Sequence, residues 1–191
     1  MKHYADSLSL AGEAFIKDAN KIIDVGTGAG FPGVPLAVMY PDKEFTVMDS
    51  LNKRIKIITE TVDKLGITNL AAVHGRAEEL ARMNGYREAY DLCVSRAVAN
   101  MSTLSEYCLP FVKKGGYFVA YKGPDPVDEI KKAGHAIPIL GGGKPLIEKP
   151  FLNGKIEGYD TDHTIVIIKK EKGTPKKYPR KAGTPSRDPL K

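Results

Sequence analysis

The chain of 191 residues contains 29 Lys and Arg, 23 Asp and Glu, 42% apolar residues and two cysteines. This length and composition fit one globular domain with its own hydrophobic core, and they exclude fibrous and fully disordered chains. No run of 18 apolar residues occurs and no apolar stretch follows Met1, so we expect neither a membrane span nor export. Cys93 and Cys108 lack the spacing of metal ligands, and no other metal site is expected. A reduced, cytoplasmic protein is the natural interpretation.

The positive charge is concentrated at the C-terminus. Residues 169–191 contain nine basic and two acidic residues, a net charge of +7, which leaves −1 for the rest of the chain. Four prolines and few aliphatic side chains predict neither a helix nor a core strand there. Two interpretations stay open: a disordered, solubilising terminus, or an arm that binds a polyanion by releasing counterions. We therefore divide the chain into a domain, 1–170, and a basic, proline-rich tail, 171–191.

Short β-rich segments alternate with helical segments, which is typical of α/β proteins. The predicted strands are 21–25, 44–48, 70–74, 90–95 and 117–121, and the predicted helices are 34–39, 53–65, 76–83, 101–111 and 128–133. Asn52 is expected to cap the second helix and Gly66 to end it. A loop rich in Gly and Pro should follow residue 133.

The C-terminal part of the domain should contain an antiparallel pair. Its strands are predicted near 144–148 and 163–169, joined by a turn-rich stretch with Asn153-Gly154. The preceding strands, joined by helices, require right-handed crossovers. The expected fold is therefore a doubly wound, Rossmann-like, mostly parallel sheet with an antiparallel C-terminal strand.

A glycine-rich loop, Asp24-Val25-Gly26-Thr27-Gly28-Ala29-Gly30-Phe31-Pro32-Gly33, follows the first strand. In an open α/β sheet a ligand binds at this point, since glycines let the backbone approach it and the next helix N-terminus attracts an anionic group. The loop formally matches the GxGxxG pattern of dinucleotide sites, with Asp49 about twenty residues on. A tight turn without a ligand is a further interpretation.

Two details of this loop favour a cationic ligand. The frame that begins at Gly26 ends in Phe31, which is too bulky for the close packing of a dinucleotide fold. Asp24 is expected at the mouth of the loop, where its carboxylate would repel a pyrophosphate. S-adenosylmethionine, with an ammonium and a sulfonium, fits these features better than NAD.

Further candidates follow the next strands. Asp49 ends the second strand, where an acid can bind both ribose hydroxyls, although it could also only cap the next helix. Ala77 and Glu78 follow the third strand, where a turn could place them against an adenine edge, although acids in a first helical turn are commonly solvated. Arg96 follows the fourth strand at its carboxyl end, on the ligand side of the sheet, although a surface arginine without a role could lie anywhere.

Seven ordered motifs together resemble the bacterial small-subunit (16S) ribosomal RNA methyltransferase G family, also called glucose-inhibited division protein B. They are Lys-His-Tyr-Ala-Asp-Ser-Leu at 2–8, the glycine-rich loop at 24–33, Asp-Ser-Leu-Asn-Lys-Arg at 49–54, Gly-Arg-Ala-Glu-Glu at 75–79, Ser-Arg-Ala-Val-Ala at 95–99, Tyr-Lys-Gly at 121–123 and Tyr-Pro-Arg-Lys-Ala-Gly-Thr-Pro at 178–185. The resemblance spans the chain and implies transfer of a methyl group from S-adenosylmethionine to N7 of a guanine.

The resemblance also implies the site. It places Gly26, Phe31, Ala77, Glu78 and Arg96 at cofactor-binding positions, with Asp49 and Ser50 beside them; Asp24 and Gly28 complete our predicted set. Family members usually have a helical segment before the His-containing motif, so this chain is expected to be an N-terminally truncated form. The expected partner is 16S ribosomal RNA or a small-subunit precursor, with no obligate protein partner.

The chemistry of guanine N7 agrees with the residues present. N7 has a free lone pair and no proton, so methylation needs alignment and no general base. No catalytic acid or base is therefore expected, although Arg96 and His3 could position the substrate. A cationic rim for RNA phosphates is predicted at Lys2, His3, Arg76, Arg96, Lys122, Arg180 and Lys181.

Two other functions remain as alternatives. A nicotinamide-dependent oxidoreductase would need a proton donor such as a Tyr-x-x-x-Lys pair beside the glycine-rich loop, and the sequence has none there. A catalytically silent RNA-binding assembly factor would fit the basic tail but would leave Asp24, Gly26, Asp49 and Glu78 without a purpose.

Overall fold

The computed structural model describes residues 2–10, 12–96, 98–150 and 163–191, with only the backbone of residues 2 and 3. The predicted turn at Asn153-Gly154 lies outside the described residues, and so does Ala97. In the described part of the chain, no helix is both long enough and apolar enough to cross a membrane.

The described strands form one mixed sheet in the order β3-β2-β1-β4-β5-β7-β6. They are β1 (Lys21–Val25), β2 (Glu44–Asp49), β3 (Leu70–His74), β4 (Tyr90–Arg96), β5 (Val112–Lys122), β6 (Leu146–Glu148) and β7 (Thr164–Lys169). Strands β1 to β5 are parallel, whereas β7 runs antiparallel to both β5 and β6. The Rossmann-like α/β fold and its antiparallel C-terminal strand are therefore confirmed.

Helices cover both faces of this sheet. They are α1 (Lys2–Leu8), α2 (Ala14–Lys17), α3 (Gly33–Met39), α4 (Asn52–Leu65), α5 (Ala77–Leu80), α6 (Met101–Cys108), α7 (Val127–Lys132), α8 (Ala136–Ile139) and α9 (Thr184–Arg187), with a 3-10 helix at Leu109–Phe111. Successive strand residues point to opposite faces. Leu92 and Val94 of β4 therefore pack with Leu36 of α3, whereas Cys93 packs with Leu104 of α6.

Helix α4 shows how the local sequence sets an element and where a local rule fails. Ile55, Ile58 and Val62 lie on one buried face, and Gly66 ends the helix with φ +65°. The expectation that Asn52 caps this helix is wrong. Asn52 is the first helical residue, and Leu51 precedes it without a side-chain cap. Asp49 supplies a carboxylate there instead, since its Oδ1 accepts the Leu51 N–H at 2.9 Å.

The ends of several other helices and strands also differ from the prediction. The predicted helix 76–83 is helical only over α5, and the helix 101–111 ends its α-helical part at Cys108 before the 3-10 helix that contains Pro110. Strand β5 begins at Val112, five residues earlier than predicted, with an irregular register between Tyr90 and Leu92 of β4. The expected loop after residue 133 contains the short helix α8.

The tail differs most from its prediction. Residues 171–191 contain α9, although no helix was expected, and Thr174, Tyr178 and Pro185 are buried. The backbone carbonyls of this segment accept hydrogen bonds from Arg82 and Arg87, which lie just after α5. The segment is therefore packed against the sheet domain.

Candidate functional site

The glycine-rich loop leaves β1 at its carboxyl end and is fixed by two short backbone bonds to β2. The N–H groups of Gly26 and Thr27 both donate to the carbonyl of Met48, at 2.9 and 3.0 Å. Gly26 has φ +74°, a conformation that favours glycine, and a Cβ there would lie 2.6 Å from Cγ2 of Val98. The loop thus forms a bare backbone surface beside the tip of β2.

Asp24 lies behind the loop and not at its mouth, which corrects our expectation. Its side chain is fully buried, and its Oδ2 accepts the Thr27 hydroxyl at 2.6 Å and the Gly33 N–H at 2.8 Å. Its Oδ1 is buried without a hydrogen-bond partner among the described residues. Burial raises the pKa of Asp24 to about 6, although both hydrogen bonds and the nearby Arg96 act to lower it. Asp24 therefore shapes the loop from within.

Asp49 joins the loop to the end of β2. Its Oδ2 accepts the Gly28 N–H at 3.0 Å and pairs with Nη1 of Arg54 at 3.1 Å, and the residue is 3% exposed. Arg54 remains half exposed. These contacts fix the carboxylate orientation, and Ser50, exposed beside it, lines the same cavity. The acid is thus placed where the sequence predicted it, at the strand end beside the loop.

A cavity of about 110 Å³ opens at the carboxyl ends of β1, β2 and β3. It is lined by Val25, Gly26, Met48, Asp49, Ser50, Gly75, Arg76, Ala77, Glu78, Val98 and Tyr107. The structure therefore brings Gly26, Asp49, Ser50, Ala77 and Glu78 of the predicted cofactor set together. Glu78 is 4% exposed, and its Oε1 accepts the N–H of Gly183 at 2.8 Å.

Phe31 and Arg96 lie together on the other side of the loop. The guanidinium carbon of Arg96 lies 5.3 Å from the centre of the Phe31 ring, a cation-π geometry. Tyr4 of α1 packs edge-on against the same ring, with 5.1 Å between ring centres. Neither Phe31 nor Arg96 lines the cavity that contains Gly26 and Glu78. Phe31 and Tyr4 instead line a second, largely apolar cavity of about 310 Å³ between α1, α3 and α4.

The residues present fit S-adenosylmethionine. Glycine at position 26 keeps open a cradle that any Cβ would fill, and the buried acids Asp49 and Glu78 offer acceptors to hydroxyl and amino groups. A pyrophosphate in this cavity would meet the carboxyl groups of Asp49 and Glu78, which makes a dinucleotide the poorer match.

The predicted RNA-binding residues fall into three groups. Arg76 and Lys181 are exposed, and Arg76 lines the cofactor cavity. Lys122 is bound within the protein, because its Nζ donates to the Ala99 carbonyl at 2.8 Å and to Glu129 at 2.6 Å.

Arg180 also has protein partners, a buried Glu106 and Asp188. The side chains of Lys2 and His3 lie outside the described residues.

Three residues near the site were missed by the sequence. Tyr107 of α6 lines the same cavity as Glu78, Gly183 of the tail donates to Glu78, and Tyr4 packs against Phe31. Tyr4 and Gly183 do stand inside recognised motifs, so motif membership was the available signal for both. Tyr107 had none, since it reaches the cavity only through the packing of α6.

Other reactive groups do not add a second chemistry. Cys93 and Cys108 are free and buried, as expected for packing residues, and burial raises the pKa of the Cys93 thiol. No group of three or more His, Cys, Asp or Glu side chains suited to a metal ion occurs in the ranges that the structure describes.

Comparisons with known proteins agree on one family. The family model described as rRNA small subunit methyltransferase G matches residues 1–149. The chain is 51% identical over 189 residues to "Ribosomal RNA small subunit methyltransferase G" of Clostridium novyi, covering 99% of this chain and 76% of the relative. It is 49% identical to the protein of the same name from Alkaliphilus oremlandii, covering 100% and 78%.

Solved structures are similar in fold at low sequence identity. A SAM-dependent O-methyltransferase from Thermotoga maritima superposes with a TM-score of 0.64 at 15% identity, covering 89% of this chain and 66% of that one. An rRNA methylase from Streptococcus thermophilus gives 0.56 at 16% identity, covering 81% and 89%. These likenesses support the methyltransferase fold of the sheet described above.

Proposed function

This chain belongs to the ribosomal RNA small subunit methyltransferase G family and is an S-adenosylmethionine-dependent ribosomal RNA methyltransferase, and we propose that it methylates N7 of a guanine in 16S ribosomal RNA. The observation that carries the proposal is the set of buried acids at successive strand ends. Asp49 ends β2 and Glu78 follows β3, and both line the cavity beside the bare backbone of Gly26, whereas Asp24 of β1 lies behind the loop.

Each acid has a separate task in this proposal. Asp49 binds the ribose hydroxyls, since charge-assisted hydrogen bonds to a fixed carboxylate are strong. Glu78 and the backbone of Ala77 bind the adenine edge. Asp24 acts indirectly, by holding Thr27 and Gly33 so that the loop keeps its shape. Phe31 and Arg96 form the wall between the loop and the RNA, where Arg96 positions the substrate.

Methyl transfer to N7 requires no acid or base from the protein. S-adenosylmethionine, held by Gly26, Asp49 and Glu78, would supply a methyl carbon made electrophilic by its sulfonium, and the lone pair of N7 would accept it. No proton leaves, so no side chain needs to accept one. The protein residues bind, align and exclude water. His3 is accordingly assigned to RNA binding.

The RNA surface is proposed around the exposed cations beside the cavity. Arg76 and Lys181 are the members of the predicted rim whose exposure suits a phosphate contact, with Lys2 and His3 as further members. The remaining charge of the tail favours association with any polyanion. The enzyme thus acts in the cytoplasm on 16S ribosomal RNA or a small-subunit precursor, without an obligate protein partner.

Ligand binding gives the first test. Isothermal titration of the purified chain with S-adenosylmethionine and with NAD should show binding of the former alone. Mass mapping of 16S ribosomal RNA from cells with and without the gene should then show one lost N7-methylguanine. Binding of NAD, or an unchanged methylation map, would count against the proposal.

The pH dependence gives the mechanistic test. Single-turnover methylation with saturating RNA should be nearly flat from about pH 6.5 to 8.5, because no group must lose a proton near the histidine pKa of roughly 6.5. His3→Gln should weaken RNA binding and leave the rate at saturation almost unchanged. A rate that rises tenfold per pH unit, and loses that rise in His3→Gln, would show a general base and would exclude N7 as the acceptor.

A further inference from the structure

Glu78 receives a hydrogen bond from a residue 105 positions away in the sequence. The donor is the backbone N–H of Gly183, at 2.8 Å from Oε1. No described residue donates a hydrogen bond to Oε2 of Glu78. One oxygen of this buried carboxylate is therefore used to fix its orientation, and the other is left for a ligand in the cavity.

The short segment around Gly183 is held in place by one buried ion pair. Arg180 donates to both carboxylate oxygens of Glu106, from Nε at 3.0 and 3.1 Å and from Nη2 at 2.8 Å, and its backbone N–H donates to Oε1 at 2.7 Å. Glu106 is fully buried in α6. A bidentate guanidinium–carboxylate pair fixes direction as well as distance, so it orients the chain that follows Arg180.

One more contact holds the same segment against α6, and another lies within the segment itself. The Thr103 hydroxyl donates to the Pro185 carbonyl at 2.9 Å, and the Ser186 hydroxyl donates to the Gly183 carbonyl at 3.1 Å. The backbone of Gly183 adopts φ +81° between these anchors, a conformation that directs its N–H to Glu78 and that side chains rarely adopt. We call residues 180–184 the C-terminal strap.

We propose that Arg180 is a positioning residue of the cofactor site: it anchors the C-terminal strap on Glu106, so that the Gly183 N–H holds the Glu78 carboxylate ready to bind the amino group of adenine. This inference rests on the cofactor site proposed above. It assigns Arg180 to cofactor recognition and not to RNA phosphates. An exocyclic amino group is the matching ligand group, because the free oxygen of Glu78 can only accept.

The test compares two ligands that differ at the amino group. S-adenosylhomocysteine carries the amino donor, whereas its inosine analogue carries a carbonyl at the same position. Wild type should prefer S-adenosylhomocysteine at least tenfold, and Glu78→Gln should largely lose this preference. Arg180→Ala should weaken S-adenosylhomocysteine about tenfold and the inosine analogue less than twofold, and Arg180→Lys should restore part of the preference.

Two further variants separate positioning from charge and from folding. Lys176→Ala removes an exposed positive charge of the same tail and should leave both affinities within twofold of wild type. Gly183→Ala keeps the Arg180–Glu106 pair, and its added Cβ meets no atom within 4 Å, but it disfavours φ +81°. It should reduce the preference twofold to fivefold, and it decides the question if Arg180→Ala fails to fold.

The outcomes distinguish this inference from the proposed function. A folded Arg180→Ala, or Gly183→Ala in its place, that retains the wild-type preference would overturn the role of the strap while the cofactor site stands. An equal loss of affinity for both ligands would overturn it as well, since that result indicates general loosening. If wild type binds neither ligand, or if Glu78→Gln keeps the full preference, the proposed cofactor site is wrong. The role of the C-terminal strap, which depends on that site, is then wrong as well.

Discussion

The glycine-rich loop lines the cofactor cavity, and the C-terminal segment, residues 171–191, bonds Glu78 in the wall of that cavity. The contacts that hold these two regions differ widely in their separation along the sequence. In the loop, Asp24 bonds Thr27 and Gly33, three and nine residues away, and other bonds reach the end of the next strand, 21 or 22 residues away. In the segment, Arg180 bonds Glu106 at a separation of 74 residues and Gly183 bonds Glu78 at 105. The strand–loop–helix pattern of the sequence therefore describes the first region and says nothing about the second.

This difference explains which of our predictions failed. Four prolines and seven basic residues predicted a tail without a fold of its own, and the segment indeed has no apolar core of its own. Its order comes from partners in α5, α6 and the residues that follow α5, above all the buried Glu106. The composition of a segment indicates how much apolar surface it can bury by itself. It does not indicate which polar contacts other parts of the protein can form with it.

Removal of the Arg180–Glu106 pair, which anchors the C-terminal segment, should have the largest effect on stability. Arg180→Ala removes the guanidinium partner of the buried Glu106 carboxylate, although the Arg180 side chain itself is 22% exposed. Loss of one partner of a fully buried pair costs about 3–5 kcal/mol, so we expect the lower end of that range, about 3 kcal/mol. Urea unfolding at pH 7 should show this loss of unfolding free energy. Lys176→Ala, an exposed charge on the same segment, should change it by less than about 0.5 kcal/mol. Equal stability of the two variants would mean that the segment is not anchored by this pair.

The matching change in the loop concerns Asp24 and depends on pH. Burial raises its pKa to about 6 from 3.8, so the folded state binds the proton more tightly than the unfolded state. The stability from this proton is complete below about pH 3.8 and is lost as pH rises through 6, a change of about 3 kcal/mol. Asp24→Asn should abolish that change.

Unfolding free energies of wild type and Asp24→Asn, measured from pH 4 to pH 7.5, give the check. The stability of the variant relative to wild type should increase across the interval and level off above about pH 6.5. Asp42→Asn, at an exposed carboxylate, is the matched control and should show no such trend. A constant difference between Asp24→Asn and wild type would mean that Asp24 ionises normally in the folded protein.

The third change concerns the affinity of the cavity for S-adenosylmethionine. Asp49→Ala should weaken S-adenosylmethionine binding by about 1.5–3 kcal/mol, because it removes charge-assisted hydrogen bonds to the ribose. Isothermal titration measures the affinity and circular dichroism the fold. Asp63→Ala, an exposed acid on α4, controls for the loss of one negative charge. Unchanged affinity in Asp49→Ala would remove this acid from the site.

The residues predictable from the sequence share one property: each lies at the end of a parallel strand. The order of elements along the chain is enough to place Gly26, Asp49 and Glu78 together, because β1, β2 and β3 deliver their carboxyl ends to one edge of the sheet. The depth of a side chain could not be predicted in this way. Asp24 follows the same rule of position, but its burial behind the loop depends on how Thr27 and Gly33 fold back over it.

The smallest expected effects concern the N-terminal caps of two helices. Asn52 was expected to cap α4 from its sequence context, but it is already helical and makes no cap hydrogen bond. Asn100 was not singled out, yet its Oδ1 accepts the Thr103 N–H at 3.1 Å at the start of α6. Asn100→Ala should therefore cost about 1 kcal/mol of unfolding free energy, and Asn52→Ala less than about 0.5 kcal/mol.

The ranking of these two variants also tests the link between the regions. Helix α6 carries Thr103 and Glu106, which hold the C-terminal segment, so fraying at Asn100 should loosen that segment before it affects the loop. Hydrogen exchange in Asn100→Ala should rise at the amides of Arg180 and Gly183 and stay unchanged at Gly28 and Gly33. If exchange rises equally at all four amides, the loop and the segment open as one unit, and the contrast between short-range and long-range anchoring does not extend to their dynamics.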